Sequence, residues 1–97
     1  MTTFFVSRHP GAADWALEQG LAVDRAVAHL DPAEVEAGDV VIGTLPVNLA
    51  AETCSRGGRY LHLSLDLPAV WRGRELSAED MRTCGARIEE YQVRRVG

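Results

Sequence analysis

Lysine is absent from this chain, and all ten of its basic residues are arginine. That excludes a Schiff-base amine, a P-loop lysine and a lysine general base. Cysteine is scarce. Cys54 and Cys84 lie far apart and form no Cys-x-x-Cys pair, so nothing supports a disulfide framework or a zinc site, and two reduced, buried side chains are expected. No apolar run approaches the roughly 20 residues that span a bilayer, and no basic-plus-apolar leader follows Met1. A cytoplasmic protein without a membrane partner is expected. Asp, Glu, His and Cys nowhere fall at metal-ligand spacing, so neither a metal nor a cofactor is expected. A net charge of −4 argues against a general binder of duplex nucleic acid, whose affinity comes from neutralising many phosphates.

What remains is a short chain with the apolar content of a globular protein. Its 97 residues make one domain, 1–97, with a single core. A site must then be built from a few loops or completed by a second subunit. The arginines have two compatible explanations. One is high-GC codon bias; the other is a local pocket in which planar guanidinium forks meet phosphate oxygens.

Two junctions carry most of the information. In Phe4-Phe5-Val6-Ser7-Arg8-His9-Pro10-Gly11 and in Val40-Val41-Ile42-Gly43-Thr44-Leu45-Pro46-Val47-Asn48, an apolar run stops at small, polar or ring-constrained residues. A helical pattern follows each. The pattern predicts strands at Thr2 to Val6, Val23 to His29, Val40 to Thr44 and Tyr60 to Leu65. It predicts helices at Gly11 to Gln19, closed by Gly20, and at Val47 to Ser55, stopped by Gly57-Gly58. Asp31-Pro32-Ala33-Glu34 looks like a capped turn that ends by Gly38-Asp39. A polar loop from Asp66 to Leu76 leads to a helix start at Ser77-Ala78-Glu79-Asp80, with Met81, Cys84, Ile88 and Tyr91 continuing one apolar stripe. The tail Gln92 to Val96 fits either an edge strand or a helix end.

Alternating strands and helices imply an α/β fold: a single compact Rossmann-like domain, with a mostly parallel sheet of four to five strands flanked by helices. The spatial order 2-1-3-4 puts strands one and three side by side at a topological switch point. The Ser7 to Gly11 and Thr44 to Asn48 loops then share one crevice, with Asp66 on the same edge. Ligands on such sheets sit outside the carboxyl ends of the strands, where helix N-termini favour anions. Ser7 and Asn48 suit helix capping or ligand contact equally. Arg8 and His9 are costly to bury, lack an acidic neighbour before Asp14, and are read as anion contacts. His29 and His62 follow strand periodicity and are read as structural. Arg72 and Arg74 belong either to a solvated loop or to a flap that carries guanidinium and the Trp71 face to a nucleobase.

Arg8-His9 at the end of a strand resembles the Arg-His-Gly signature of histidine phosphatases. Pro10 replaces the glycine, and the chain is short for that fold. Taken together, the two junctions with Val27-Ala28-His29-Leu30-Asp31 and Leu63-Ser64-Leu65-Asp66-Leu67-Pro68 resemble a small family of CRISPR-associated accessory proteins from type III loci, over nearly the whole chain. The resemblance implies a relative of the Rossmann-like domains that sense cyclic oligoadenylates, acting as a ring nuclease that switches the signal off. Cyclic tetraadenylate is the expected substrate, a linear product with a 2′,3′-cyclic phosphate the expected outcome, and a homodimer the expected assembly. Chemistry assigns the roles. Arg8 stabilises phosphorane charge and His9 exchanges protons, while Ser7, Thr44, Asn48, Asp66, Arg72 and Arg74 contact the ligand. A non-catalytic binding module and a phosphatase-like phosphoesterase are the competing readings.

Overall fold

The first strand is made by Thr3-Phe4-Phe5-Val6, whose two phenylalanines point to opposite faces of the sheet and are both buried. The computed structural model describes residues 1–97. Its regular elements are β1 (Thr3–Val6), α1 (Pro10–Glu18), β2 (Arg25–Val27), β3 (Val40–Gly43), α2 (Val47–Ser55), β4 (Arg59–Ser64), α3 (Ala78–Thr83) and β5 (Arg87–Tyr91), with short 3-10 turns at Pro32–Glu34 and Ala69–Trp71. The strands form one sheet in the order β2-β1-β3-β4-β5. All neighbours are parallel except β4 and β5. The predicted order of the first four strands is the observed one, and the architecture is a Rossmann-like α/β sheet flanked by helices.

Two apolar layers cover the two faces. Phe5, Ile42 and Leu63 pack with Trp15 and Ala16 of α1 and Met81 of α3. On the other face Phe4, Val41 and Tyr60 pack with Ala50 of α2, Leu30 and Val35. One helix has to cover what two cover opposite. The α2 face of β4 and β5 is therefore left partly open, and that gap becomes a cavity.

The C-terminal third corrects the sequence reading. The helix that begins at Ser77 does not run to Tyr91; it stops after one and a half turns, and Ile88 and Tyr91 lie on β5. Gly85 takes a positive φ of 67°, its N–H bonds Arg82 O at 3.1 Å, and Ala86 N–H bonds Met81 O at 3.0 Å. This pair of bonds is the glycine-terminated Schellman stop. Arg87-Ile88-Glu89-Glu90-Tyr91 then alternates with period two and pairs antiparallel with β4. The tail beyond Tyr91 is neither strand nor helix. β2 is also shorter than expected: Arg25–Val27 pair with β1, and His29 stands outside it, exposed.

Asp39 ties the N-terminal strand to the turn before β3. Its carboxylate accepts Thr2 N–H at 2.8 Å and Glu36 N–H at 2.9 Å. The Glu36 N–H, then the Thr2 N–H, hold the carboxyl below the usual carboxylate range. A depressed folded-state pKa contributes stability above the unfolded value, about 3.9, that is lost as the pH falls through the folded value. Asp39→Asn is therefore expected to lower the melting temperature at pH 7, with the gap to wild type closing as the pH is taken below about 4. A gap that stays constant over that range would count against this account.

Candidate functional site

β1, β3 and β4 run parallel and end at one edge of the sheet. Their register sets Val6 beside Gly43 and Gly43 beside His62. The Ser7–His9 loop and the Thr44–Pro46 loop leave that edge as neighbours, and each leads into a helix. Gly43 allows the close approach: a Cβ there would lie 2.6 Å from Val6 O.

Both helices reach this edge without a side-chain cap. The N-cap of α1 is His9 and that of α2 is Pro46, and neither contributes a capping side chain. Of the two readings open for Ser7 and Asn48, helix capping is not the one the structure shows. Ser7 Oγ instead accepts His9 N–H at 3.1 Å in a tight turn, and Asn48 stands exposed within the first turn of α2. The N–H groups of Gly11, Val47 and Asn48 find no partner within the chain. α3, which starts elsewhere, has a complete capping box between Ser77 and Asp80. Free first-turn amides carry the positive end of a helix dipole and favour an anion.

The arginines sort by partner. Arg25, Arg56, Arg59, Arg74, Arg82 and Arg87 each pair with a carboxylate, leaving Arg8, Arg72, Arg94 and Arg95 without one. Arg8 is exposed beside the free amides, and His9 is exposed next to it. Thr44 lies on the same edge, its Oγ1 donating to Leu63 O at 2.7 Å. Asp66 lies just past the end of β4, with its carboxylate 3.3 Å from the Arg87 guanidinium. Arg72 and Arg74 belong to the segment whose Leu67, Trp71 and Leu76 pack into the layer beneath α1 and α3. Arg74 stacks over Trp71 at 4.2 Å and pairs with Asp80 at 2.9 Å, which holds this loop to the start of α3. The structure thus gathers Ser7, Arg8, His9, Thr44 and Asn48 at the junction of β1 and β3, with Asp66 farther along the edge and Arg74 engaged internally.

One set of residues was missed from the sequence. A cavity of about 340 Å³ opens between the start of α2 and the β4–β5 pair, with His62, Ser64, Arg87, Glu89 and Tyr91 in its polar wall. The period-two pattern of Tyr60-Leu61-His62-Leu63-Ser64 was the available signal, because it sends Tyr60, His62 and Ser64 to one face. Ser64 Oγ donates to Glu89 Oε1 at 2.7 Å, and Arg87 Nε lies 3.4 Å from the same oxygen. A second, wider groove of about 900 Å³ runs along α2 to the tail and includes Asn48, Arg94 and Arg95. No helix is long and apolar enough to cross a membrane.

A family model described as "Putative CRISPR-associated protein (Cas_VVA1548)" matches residues 4–94. The chain belongs to this family. No curated protein and no solved structure matches it. The matched span takes in the Ser7–His9 loop, the start of α2 and both strands that wall the cavity.

Proposed function

We propose that this protein binds a cyclic oligoadenylate at the β1–β3 edge and cleaves it, removing a second messenger of CRISPR defence. One observation carries the reading: two uncapped helix N-termini and an arginine without an acidic partner meet at a single switch point. Membership of a CRISPR-associated family supports the nature of the anion.

The substrate makes the reaction accessible to a small domain. Each linkage of such a ring carries a ribose 2′-hydroxyl beside its own phosphodiester, so the nucleophile arrives with the ligand. The protein has to turn that hydroxyl in line, neutralise the phosphate and assist proton transfer. Arg8 and the free amides oppose the charge that grows on phosphorus, His9 accepts the hydroxyl proton, and Ser7, Thr44 and Asn48 hold ribose and phosphate. A ring of identical units matches a twofold dimer, in which the same half-site meets opposite nucleotides.

The deciding experiment incubates the purified protein with cyclic tri-, tetra- and hexaadenylate, with and without excess EDTA. Linear products ending in a 2′,3′-cyclic phosphate are expected, cyclic tetraadenylate being cut fastest, and chelation is expected to leave the rate unchanged. Sedimentation of the same sample is expected to give a dimer. Binding without turnover would instead identify a sequestering module, and hydrolysis of an aryl phosphate a general phosphoesterase. Loss of cleavage on chelation, restored by manganese or magnesium, would overturn the mechanism, and a monomer cleaving at full rate would remove the shared half-site.

A further inference from the structure

The cavity between α2 and β5 holds a histidine that can gain or lose a proton without stranding a buried polar group. His62 is half-buried between two tyrosines, each met edge-on at 5.7 Å between ring centroids, Tyr60 at 76° and Tyr91 at 90°. Its Nδ1 lies 2.5 Å from Tyr60 Oη. That oxygen also accepts Leu45 N–H at 3.0 Å and stands 3.2 Å from Gly43 O. Burial pushes the Tyr60 phenol up, against the opposing Leu45 N–H, so the phenol keeps its one proton. The phenol donates that proton either to Nδ1 or to Gly43 O. In the second orientation Oη is free to accept from a protonated Nδ1. Nδ1 thus has a partner whether or not it carries a proton.

Nε2 has no partner in the chain. The one fully buried side-chain polar atom without a partner is Thr53 Oγ1, so Nε2 is open, and the space beside it is the cavity. The charged groups facing the ring are Arg87 and Glu89 of β5, which compensate one another, while α2 offers only Val47 and Ala50. β4 is separated from β1 by β3 alone, about 10 Å of backbone. Val47, whose N–H is free at the start of α2, lines the same cavity, so His62 borders the helix end that the proposal gives to the phosphate, while His9 stands past the end of β1 at the start of α1.

We infer that His62 is the general acid of ring cleavage, with Tyr60 as the positioning residue that fixes its ring. The inference rests on the ring-cleavage reading above. In the step, the 2′-oxygen bonds to phosphorus and passes its proton to His9. The bond from phosphorus to the 5′-oxygen breaks, its electron pair stays on that oxygen, and the oxygen takes the proton from His62 Nε2. His62 is left neutral, with Nδ1–H donating to Tyr60 Oη. Nothing is oxidised or reduced, and solvent returns the proton from His9 to His62.

The test measures single-turnover cleavage of cyclic tetraadenylate against pH for wild type, His62→Gln, Tyr60→Phe and Arg8→Ala, with NMR titration of the His62 ring in the folded protein. His62→Gln is expected to lose about 100-fold in rate with little change in affinity, and to lose the basic limb of the profile. In wild type that limb should coincide with the His62 titration, and in Tyr60→Phe both should move together while the rate falls about 10-fold. If His62→Gln cleaves at the wild-type rate while Arg8→Ala is impaired, ring cleavage stands and the role of His62 falls. A basic limb that does not follow the ring titration overturns that role even where His62→Gln fails to fold. Absence of cleavage by wild type removes both readings.

Discussion

Arg8→Ala is expected to slow single-turnover cleavage of cyclic tetraadenylate by about 100-fold or more, the loss associated with one well-aimed donor to transition-state charge. Affinity should fall by much less. The asymmetry follows from the proposed site: the free N–H groups of Gly11, Val47 and Asn48 would contact the phosphate in ground and transition states alike, and they remain in the variant. Arg8 has no acidic partner to release, so its substitution removes charge without freeing a carboxylate. The chain as a whole carries −4, so on the ring-cleavage proposal the attraction of a polyanion is local, with Arg8 and the free amides supplying it at this edge. Added salt should weaken binding for that reason. His9→Ala is expected to lose about 10-fold to 100-fold in rate. If both variants stay folded and cleave at the wild-type rate, the β1 loop is not the site, and Asp66, Arg72 and Arg74 become the residues to test. Asn48→Ala separates binding from stability. Asn48 caps nothing, so the variant's stability should stay within about 0.5 kcal/mol of wild type, the range of an ordinary surface change, and any lost affinity reports ligand contact.

How far the sequence could be read depended on which period each segment obeyed. β1 and β3 are short apolar runs bounded by loops, and buried parallel strands have that signature, so the switch point and its two loops were legible. The segment after Ser77 was ambiguous. Met81 and Cys84 are three apart, Ile88 and Tyr91 are three apart, and the eye joins them into one helical stripe. The decisive residue is Gly85, whose left-handed conformation stops α3, and a lone glycine inside a periodic pattern does not announce that. The error carried over into the site. With β5 taken as helix, Arg87, Glu89 and Tyr91 could not be set beside His62, and the cavity had no second wall. Arg74 illustrates a different limit, since its partners Trp71 and Asp80 are close in sequence but only the fold of the loop selects them over solvent.

Gly11→Ala is expected to destabilise the protein by about 2 kcal/mol, although alanine is the better helix former. A Cβ on Gly11 would lie 2.1 Å from Leu76 O, 2.4 Å from Ser77 C and 2.5 Å from Ser77 Cα. All three atoms are backbone, so no side chain can swing away; either the first turn of α1 or the Leu76–Ser77 segment has to move. Overpacking of this kind typically costs about 1–3 kcal/mol, against at most about 1 kcal/mol gained in helix propensity, less at the second helical position where little helix precedes it. For a domain of this size 2 kcal/mol lowers the melting temperature by about 8–16 °C. Ala13→Gly supplies the comparison, because Ala13 is exposed on the same helix and its replacement costs only propensity, about 1 kcal/mol. Propensity alone predicts that Gly11→Ala raises the melting temperature and Ala13→Gly lowers it; the contact predicts that both fall and that Gly11→Ala falls further. A rise for Gly11→Ala would mean that α1 does not press on the start of α3. The same contact bears on the site, since α1 begins at His9 and Pro10, and a shift in its first turn displaces the free Gly11 amide from the edge it shares with Arg8. A folded fraction of Gly11→Ala should therefore also cleave more slowly than wild type, by the loss that follows a displacement of about 1 Å at a positioned group.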